Sequence, residues 1–515
     1  MVPKQIVDIT ENNWDLLKPS NIDILFNELD KLNLTKEEYE KIITEAEADL
    51  DTKIHRIHQK IYDDKAIALG ISQKMYLFCG LIMAGLPAEG LDELEMGDLR
   101  SSPNETKSDA HEIVTQIEAY LDCRKCPNDK KQLILQTLTP VFMTEILWRP
   151  INGESILKQL YRQVKVEIIP CLTGSLHLDF MGRIFNKLGD WIPLMPGGVN
   201  DVVLTPRYVT ELMAKICRVN MNSFVWDRTM GSAGFLVTAM DLMIKDAKEK
   251  IKDKEELEDK INNIKKQQLF GIEILKEVFI LAVLNMILMG DGSSNMKNGD
   301  GHDTELGKGF PANVFLLNPP YSASGNGLIF VEEALSMMTN GYAAVLIQES
   351  AGSGMGNPYA KNILANNTLV ASIHMNSKLF GGKAGVQTSI YLFKIGESHD
   401  PNNLVKFIDF SNDGYFRQAR RKSSQDINLQ NVDDAIGRYA EVEAIILGKR
   451  KETNYYNKDN GLYVEDTITL DGDDWNYNQH KKIDTTPTEV DFKNTVADYL
   501  IYRVSQAMRG EGYDV

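Results

Sequence analysis

The chain has 515 residues, 43% of them hydrophobic and 25% charged, a balance that excludes a disordered or fibrous protein. Its length predicts two to four domains. The formal net charge of −17 argues against a surface that binds a polyanion unaided, so a nucleic-acid substrate would require a local basic path or a basic partner.

The five cysteines are sparse and odd in number, which favours free thiols in a reducing compartment. Cys123 and Cys126 are the only close pair, and one such pair without further ligands is a weak signal for zinc. No apolar run of the signal-peptide kind follows the N-terminal charge, and the longest apolar stretch, residues 75–86, is shorter than the roughly 20 residues of a membrane span. The sequence therefore predicts a cytoplasmic protein without a metal site or a membrane segment.

Residues 14–174 carry a helical pattern throughout. Apolar residues recur at helical spacing, residues 35–38 form a capping-box sequence, and no run alternates with period two. We expect an all-helical N-terminal domain over residues 1–174, which packs against the rest of the chain or contacts a partner.

Past residues 196–198, a Pro-Gly-Gly run, the pattern changes to alternating strands and helices. Thr205 is placed to cap a helix over residues 208–218, with Pro206 in its first turn. The free N–H groups at such a helix start can hold a carboxylate, although an ordinary cap explains the same residues.

Residues 223–236 form a strand, a turn and the start of a helix. The strand ends in Asp227, and the turn contains Gly231, Ser232 and Gly234. Glycine lets the backbone approach a ligand closely, so this arrangement predicts a nucleotide-like pocket.

Two further acidic residues are predicted at strand ends. Residues 268–273 form a second strand that ends in Glu273, where a glutamate can bind both hydroxyls of a ribose. After an apolar helix over residues 274–289, the loop over residues 290–303 carries three aspartates, and we interpret Asp300 as the third strand-end acid. A calcium loop is conceivable there, but the spacing lacks the glutamate that closes such a site.

A hydrophobic strand over residues 313–317 leads directly into Asn318-Pro319-Pro320-Tyr321. The prolines end the strand because they cannot donate to a ladder, and they stiffen the loop. The Asn318 amide oxygen and the Pro319 carbonyl can accept the hydrogens of an exocyclic amino group, while Tyr321 stacks on its ring. The alternative is an ordinary Asn-Pro turn after a buried strand.

Three more strands are predicted over residues 343–348, 369–375 and 388–395. About seven strands interleaved with helices imply an α/β fold with a doubly wound sheet, whose ligands gather beyond the carboxyl ends of the strands. The three acids and Asn318 all stand at such ends, which predicts one shared site. We place this domain over residues 175–410.

Residues 411–515 are predicted as a separate C-terminal region. Its composition is polar, with little strand pattern, and residues 417–422 form a basic cluster that suits either a phosphate contact or a solvated face. Residues 490–508 form an amphipathic helix suited to docking on a partner helix.

The motifs over residues 204–207, 227–236 and 318–321, with Glu273 between them, resemble the S-adenosylmethionine-dependent adenine-N6 DNA methyltransferases. The length and the helical front domain resemble the modification subunit of type I restriction-modification systems. This resemblance implies a Rossmann-like class I methyltransferase fold with a seven-stranded mixed sheet.

By the same resemblance, each motif has a role toward the cofactor or the target base. Residues 227–234 would wrap the methionine end of S-adenosylmethionine, and Thr205 with Pro206 would help hold its carboxylate. Glu273 would bind the ribose and Asp300 the adenine amino group, while residues 318–321 would grip a target adenine flipped out of the duplex.

The sequence departs from the family pattern at two positions. Arg228 stands where proline is usual, and Ala233 stands where glycine is common; alanine fits if φ is negative there. The partners implied are double-stranded DNA, a separate DNA-specificity subunit gripped by both helical ends, and a restriction subunit with translocase or nuclease activity, with two copies of this chain per complex. Alternatives are a protein glutamine N5-methyltransferase and a catalytically inactive scaffold.

Overall fold

A computed structural model describes residues 49–173, 205–289, 295–380, 386–417, 429–450, 453–481 and 489–509, apart from residues 51, 58, 62–66, 68 and 89. The capping box predicted at residues 35–38 lies outside these ranges. Over the described part of residues 49–173 the chain is helical, as predicted. The helices are α1 (Ile71–Gly85), α2 (Asp109–Cys123), α3 (Asn128–Phe142), α4 (Glu145–Trp148), α5 (Ile156–Gln163) and α6 (Ile169–Thr173), with a π-helical segment, Val164–Ile168, between the last two.

These helices form because their apolar residues recur at helical spacing. In α2, Ile113, Ile117 and Tyr120 are fully buried on one face, and the Ser108 hydroxyl caps the first turn by accepting the His111 N–H. The α1 helix is apolar on most sides and lies at the centre of the group. Its Gly80 faces Phe142 so closely that a Cβ there would lie 2.5 Å from the ring, so α1 and α3 pack almost backbone to ring.

The remaining chain forms a nine-stranded mixed sheet with a small hairpin beside it. The sheet order is β11-β8-β6-β7-β5-β4-β1-β2-β3, and β9 pairs with β10. The strands are β1 (Val225–Asp227), β2 (Leu269–Glu273), β3 (Met296–Asn298), β4 (Val314–Leu317), β5 (Gly341–Gln348), β6 (Asn367–Met375), β7 (Thr388–Ile395), β8 (Val405–Phe410), β9 (Tyr415–Arg417), β10 (Leu429–Asn431) and β11 (Tyr463–Asp466). Only β7 and β11 run antiparallel to their neighbours in the large sheet.

Helices cover both faces of the sheet, which confirms the doubly wound α/β class. They are α7 (Arg207–Ile216), α8 (Gly234–Lys250), α9 (Lys254–Gln267), α10 (Lys276–Leu288), α11 (Leu328–Met337), α12 (Tyr359–Asn366), α13 (Ala435–Ile446) and α14 (Tyr477–His480), followed by α15 (Glu489–Met508). One buried core joins α7, α8 and α10 to the N-terminal helices; the other lies beneath α11 and α12. No helix in the described ranges combines the length and apolarity that crossing a membrane requires.

The predicted count of seven strands is wrong, because β8 and β11 extend the sheet at one edge. In β8, the half-exposed Lys406 and Asp409 interrupt the apolar run, so the sequence signal is weak. The β11 strand has only two buried residues, and its pairing of Tyr463 with Ile408 depends on the neighbouring strand. The chain after residue 410 therefore contributes to the sheet, which its polar composition did not indicate.

The helical region packs on the sheet domain through α10. The Tyr76 hydroxyl donates a hydrogen bond to the backbone carbonyl of Glu277 at 3.2 Å. Lys130 is buried over the ring of Phe279, at 5.1 Å, and donates to the carbonyl of Met296 at the start of β3. These contacts bring the helical region against α10 and the start of β3.

Candidate active site

Four of the predicted site residues lie along one edge of the sheet. Strands β4, β1, β2 and β3 are neighbours and parallel, so their carboxyl ends meet at that edge. Asn318 follows β4, Asp227 ends β1 and Glu273 ends β2. Asp300 follows two residues after β3 and is exposed. The structure thus places the four residues at the carboxyl ends of four adjacent strands.

Asp227 is buried with one carboxylate oxygen unsatisfied. Its Oδ1 accepts the N–H of Thr229 at 3.0 Å, whereas Oδ2 has no hydrogen-bond partner among the described residues. Burial raises the pKa of Asp227 to about 8, the Thr229 N–H opposes the rise, and the nearby Glu273 adds to it. A buried, unpartnered oxygen of this kind suits a cationic ligand group.

Glu273 holds the turn between β1 and α8. Its Oε2 accepts the N–H of Gly231 at 3.1 Å, and its Oε1 accepts the N–H of Leu275 at 2.8 Å. Burial raises the pKa of the Glu273 carboxyl, and these N–H groups oppose the rise. Each carboxylate oxygen keeps a second lone pair, which is the capacity that ribose hydroxyls need.

Ala233 adopts the left-handed conformation, with φ +67° and ψ 26°. The condition under which alanine would fit this turn without strain, a negative φ, is therefore not met. Gly231 is also left-handed, at φ +54°, and the carbonyl of Ser232 accepts a hydrogen bond from the Asn285 amide at 2.9 Å. Gly234 begins α8 with open space where a side chain would be. The left-handed conformation therefore places strain on Ala233.

The Asn318 amide is held at both ends. Its Nδ2 donates to the Thr205 hydroxyl at 3.1 Å, and its Oδ1 accepts the Tyr321 hydroxyl at 2.9 Å. Thr205 does not cap α7 as predicted: Pro206 occupies the cap position with φ −58° and ψ 143°, and no side chain caps the helix. A residue that precedes proline is driven to extended backbone, so Thr205 lies before the helix and contacts the Asn318 loop instead.

Thr229 is a site residue that the sequence did not identify. Its hydroxyl donates to the backbone carbonyl of Asn318 at 3.3 Å, so the turn after β1 is joined directly to the loop after β4. No motif marks this threonine, because the contact depends on the adjacency of β1 and β4.

Ile274 and Asn298 also escaped the sequence reasoning. Ile274 follows Glu273 and is 61% exposed, an apolar side chain beside a strand-end acid. The Asn298 amide donates to the carbonyls of Glu273 and Ile274 at 2.7 and 3.1 Å, which fixes that backbone. An isoleucine directly after a strand-end acid is the signal that the sequence offers.

Neither interpretation of the basic cluster, a phosphate contact or a solvated face, holds for Arg417. Its side chain is buried, forms a bidentate ion pair with Asp413, and donates from Nε to the Tyr208 hydroxyl at 3.2 Å. The rest of the basic cluster, residues 418–422, lies outside the described ranges. Within those ranges no group of three or more His, Cys, Asp or Glu side chains is arranged to hold a metal ion, and the five cysteines form no disulfide.

Comparison with known proteins gives one family. Residues 197–471, more than half of the chain, match the N-6 DNA Methylase family. The type II restriction enzyme and methyltransferase RM.BcgI of Heyndrickxia coagulans is 30% identical over 376 residues, which cover 69% of this chain and 54% of the relative. The chain thus spans about half the length of that curated relative.

Solved structures share the fold at low sequence identity. A chain from a study of complex assembly and conformational transition in the type I restriction-modification system superposes with a TM-score of 0.53 and 14% identity, over 90% of this chain and 99% of that one. The type I methyltransferase subunit from Streptococcus thermophilus gives 0.50 and 15%, over 89% and 98%. The chain belongs to the N-6 DNA methylase family, whose members use S-adenosylmethionine as cofactor.

Proposed function

We propose that this chain transfers a methyl group from S-adenosylmethionine to the N6 amino group of an adenine flipped out of double-stranded DNA. The observation that carries the proposal is the clamped Asn318 amide, which is joined through Thr229 to the turn that holds Asp227. A methyl donor at the end of β1 and a base at the end of β4 would meet there, because the two strands are adjacent.

The residues present fit the cofactor by their chemistry. Asp227 Oδ2 would take the ammonium, Glu273 the ribose hydroxyls, Asp300 the adenine amino group, and the α7 start at Thr205 and Pro206 the carboxylate. The cofactor supplies a methyl group on a sulfonium, which is primed for direct transfer. The residues of this chain would position and polarise the acceptor, the adenine amino group.

Asn318 and its loop would activate the acceptor nitrogen without a charged base. The second lone pair of Asn318 Oδ1 and the carbonyl of Pro319 each accept one amino hydrogen, which concentrates the nitrogen lone pair for attack. The Tyr321 ring replaces part of the stacking that a flipped base loses, and Pro320 keeps the loop rigid. The proton leaves after attack, so no residue need remove it first.

The decisive test is methyl incorporation by the Asn318→Ala variant. With tritiated S-adenosylmethionine and duplex DNA, the assembled wild-type enzyme labels DNA, and the variant loses about a hundredfold in kcat because the amide oxygen that accepts one amino hydrogen disappears. Asn402→Ala, an exposed asparagine on the turn before β8, is the matched control and keeps wild-type activity. Undiminished labelling by Asn318→Ala refutes the proposal.

The same assay separates the two alternatives. Labelling of protein instead of DNA would support a glutamine side-chain methyltransferase, and the family match favours DNA. Absence of calorimetric binding of S-adenosylmethionine would support an inactive scaffold. The unpartnered Asp227 Oδ2 argues for an active cofactor site.

We further propose that sequence recognition belongs to a separate DNA-specificity subunit, in a cytoplasmic complex that contains two copies of this chain and a restriction subunit. Two observations support this: the net charge of −17 opposes unaided DNA binding, and α15 presents an exposed row of apolar side chains, four residues apart, from Phe492 to Met508. The isolated chain is expected to shift duplex DNA weakly and without sequence preference. A tight, sequence-selective shift by the chain alone would contradict the proposal.

A further inference from the structure

Arg228 is a fully buried cation at the end of β1, next to Asp227. It follows Asp227, its side chain has no solvent exposure, and its guanidinium carbon lies 5.3 Å from the centroid of the Trp226 ring. None of its three guanidinium nitrogens makes a hydrogen bond to a described residue. A buried charge costs free energy unless something compensates it, so the position of this residue requires an explanation.

The nearest opposite charge is Glu333 on α11, which partly offsets the cost of burial together with Asp300 and Asp303. Its Oε2 lies 3.6 Å from Arg228 Nη2 and 3.0 Å from Nδ1 of His302, so one carboxylate contacts both basic side chains. The His302 ring is stacked on Phe330 of the same helix, with the centroids 3.9 Å apart. Glu333 thus connects the end of β1 to the loop after β3.

That loop carries Asp300 and lies directly on Arg228. A Cβ at Gly301 would lie 2.5 Å from the Arg228 carbonyl oxygen, so the two backbones are in contact and only glycine fits. The backbone N–H of His302 donates to Asp300 Oδ1 at 2.9 Å, and the Arg228 charge attracts the Asp300 carboxylate. The position of Asp300 therefore depends on His302 and Arg228, and both depend on Glu333.

We propose that Arg228, Glu333 and His302 form a positioning network that aims the Asp300 carboxylate at the amino group of the cofactor's adenine. The inference rests on the proposed function and assigns a role to the arginine that stands where the family pattern has proline. These three are positioning residues, since they act on the cofactor only through the Asp300 loop. By this proposal, cofactor affinity and discrimination of the cofactor's base depend on three side chains that act through Asp300.

The test measures base discrimination, by titration calorimetry of the full chain with S-adenosylhomocysteine and with its deaminated analogue, S-inosylhomocysteine. In the analogue an acceptor oxygen replaces the amino group, so a correctly aimed Asp300 carboxylate disfavours it. We expect wild type to bind the adenine compound roughly tenfold more tightly than the analogue. A tenfold ratio of dissociation constants corresponds to one charge-assisted hydrogen bond. Arg228→Met and Glu333→Gln are expected to bring that ratio toward one and to raise the KM for S-adenosylmethionine, with kcat at saturating cofactor retained.

Glu332→Gln, the neighbouring acid on α11, is the matched control and keeps the wild-type ratio. A wild-type ratio in Glu333→Gln overturns the inference, even where Arg228→Met fails to fold. A parallel loss of kcat, cofactor affinity and melting temperature with an intact ratio also overturns it, because it indicates a purely structural role. If wild type binds neither compound, the proposed function itself fails, which is distinguishable from failure of the network alone.

Discussion

The hydroxyl of Thr229 donates a hydrogen bond to the backbone carbonyl of Asn318 over 3.3 Å and thereby joins the two halves of the site. Thr229 belongs to the turn that ends β1, and Asn318 opens the loop that follows β4. The backbone N–H of Thr229 also donates to Asp227. One residue therefore contacts the predicted cofactor acid with its backbone and the predicted base-binding loop with its side chain.

Thr229→Val is expected to lower kcat for DNA methylation by about tenfold, because one hydrogen bond that orients Asn318 is lost while side-chain volume is kept. Binding of S-adenosylmethionine should stay within about twofold of wild type, since the Thr229 backbone N–H to Asp227 is unchanged. Steady-state kinetics and calorimetry measure the two effects. Thr229→Ser keeps the hydroxyl and should have a kcat close to that of wild type. A kcat as low as that of the Thr229→Val variant would contradict the role of the hydroxyl.

If Asp227 binds the ammonium of S-adenosylmethionine as proposed, cofactor affinity is expected to depend on pH. Its pKa of about 8 means that the carboxyl of the free protein carries a proton at neutral pH, and an ammonium ligand binds the ionised form. Binding therefore releases a proton, and the affinity for S-adenosylmethionine should rise with pH by up to about tenfold per unit until pH 8. Calorimetry in buffers of different ionisation enthalpy measures the proton release. Asp227→Asn should bind more weakly and lose this dependence, and a flat profile in wild type would contradict the assignment.

The same carboxyl also affects the stability of the free protein. Its folded pKa of about 8 lies above the ordinary value of 3.8, so between these pH values the folded state holds a proton that the unfolded state has released. The contribution to the free energy of unfolding is complete below pH 4 and is lost as pH rises toward 8, by up to ~1.4 kcal/mol per pH unit. Urea denaturation of Asp227→Asn should lack this slope, whereas Asp459→Asn at an exposed position should keep it.

The left-handed backbone at Ala233 is expected to lower the free energy of unfolding. Its left-handed φ of +67° costs an L-residue ~1 kcal/mol, which glycine does not incur. Ala239 lies in the interior of α8 and is fully buried like Ala233, so Ala239→Gly is the matched control. Ala239→Gly relieves no strain and carries the ordinary free-energy cost of glycine inside a helix. We therefore expect the Ala233→Gly variant to be more stable than the Ala239→Gly variant by ~1.5 kcal/mol. Equal urea midpoints for the two variants would show that the turn is unstrained.

The apolar stripe of α15 consists of Phe492, Val496, Leu500, Val504 and Met508, all exposed and four residues apart. Leu500→Glu should abolish co-purification with a co-expressed specificity subunit, because a charge would have to be buried in the contact. Cofactor binding should persist, since α15 is remote in sequence from the site. Asn494→Glu adds the same charge outside the stripe and should leave assembly intact. Loss of assembly in both variants, or in neither, would refute docking through the stripe.

Much of the site was predictable because strand ends and their polar residues are local signals. Asp227, Glu273 and Asn318 each follow a buried apolar run, and the parallel sheet brings such ends together. The predicted cap at Thr205 failed because the hydroxyl had an alternative partner, the Asn318 amide, that is distant in sequence. The predicted surface role of Arg417 failed for the same reason, since its partners Asp413 and Tyr208 belong to different elements.

The sequence by itself determined the alternation of strands and helices, the order of the motifs and the residues at the strand ends, since all of these follow from local hydrophobic periodicity and chain-breaking residues. Only the tertiary structure decided that β8 and β11 extend the sheet, that Ala233 is left-handed, and that Glu333 partly compensates the buried charge of Arg228. Edge pairing, backbone strain and charge compensation are contacts between distant segments, and their free energies arise from burial and geometry that exist only after the chain has packed.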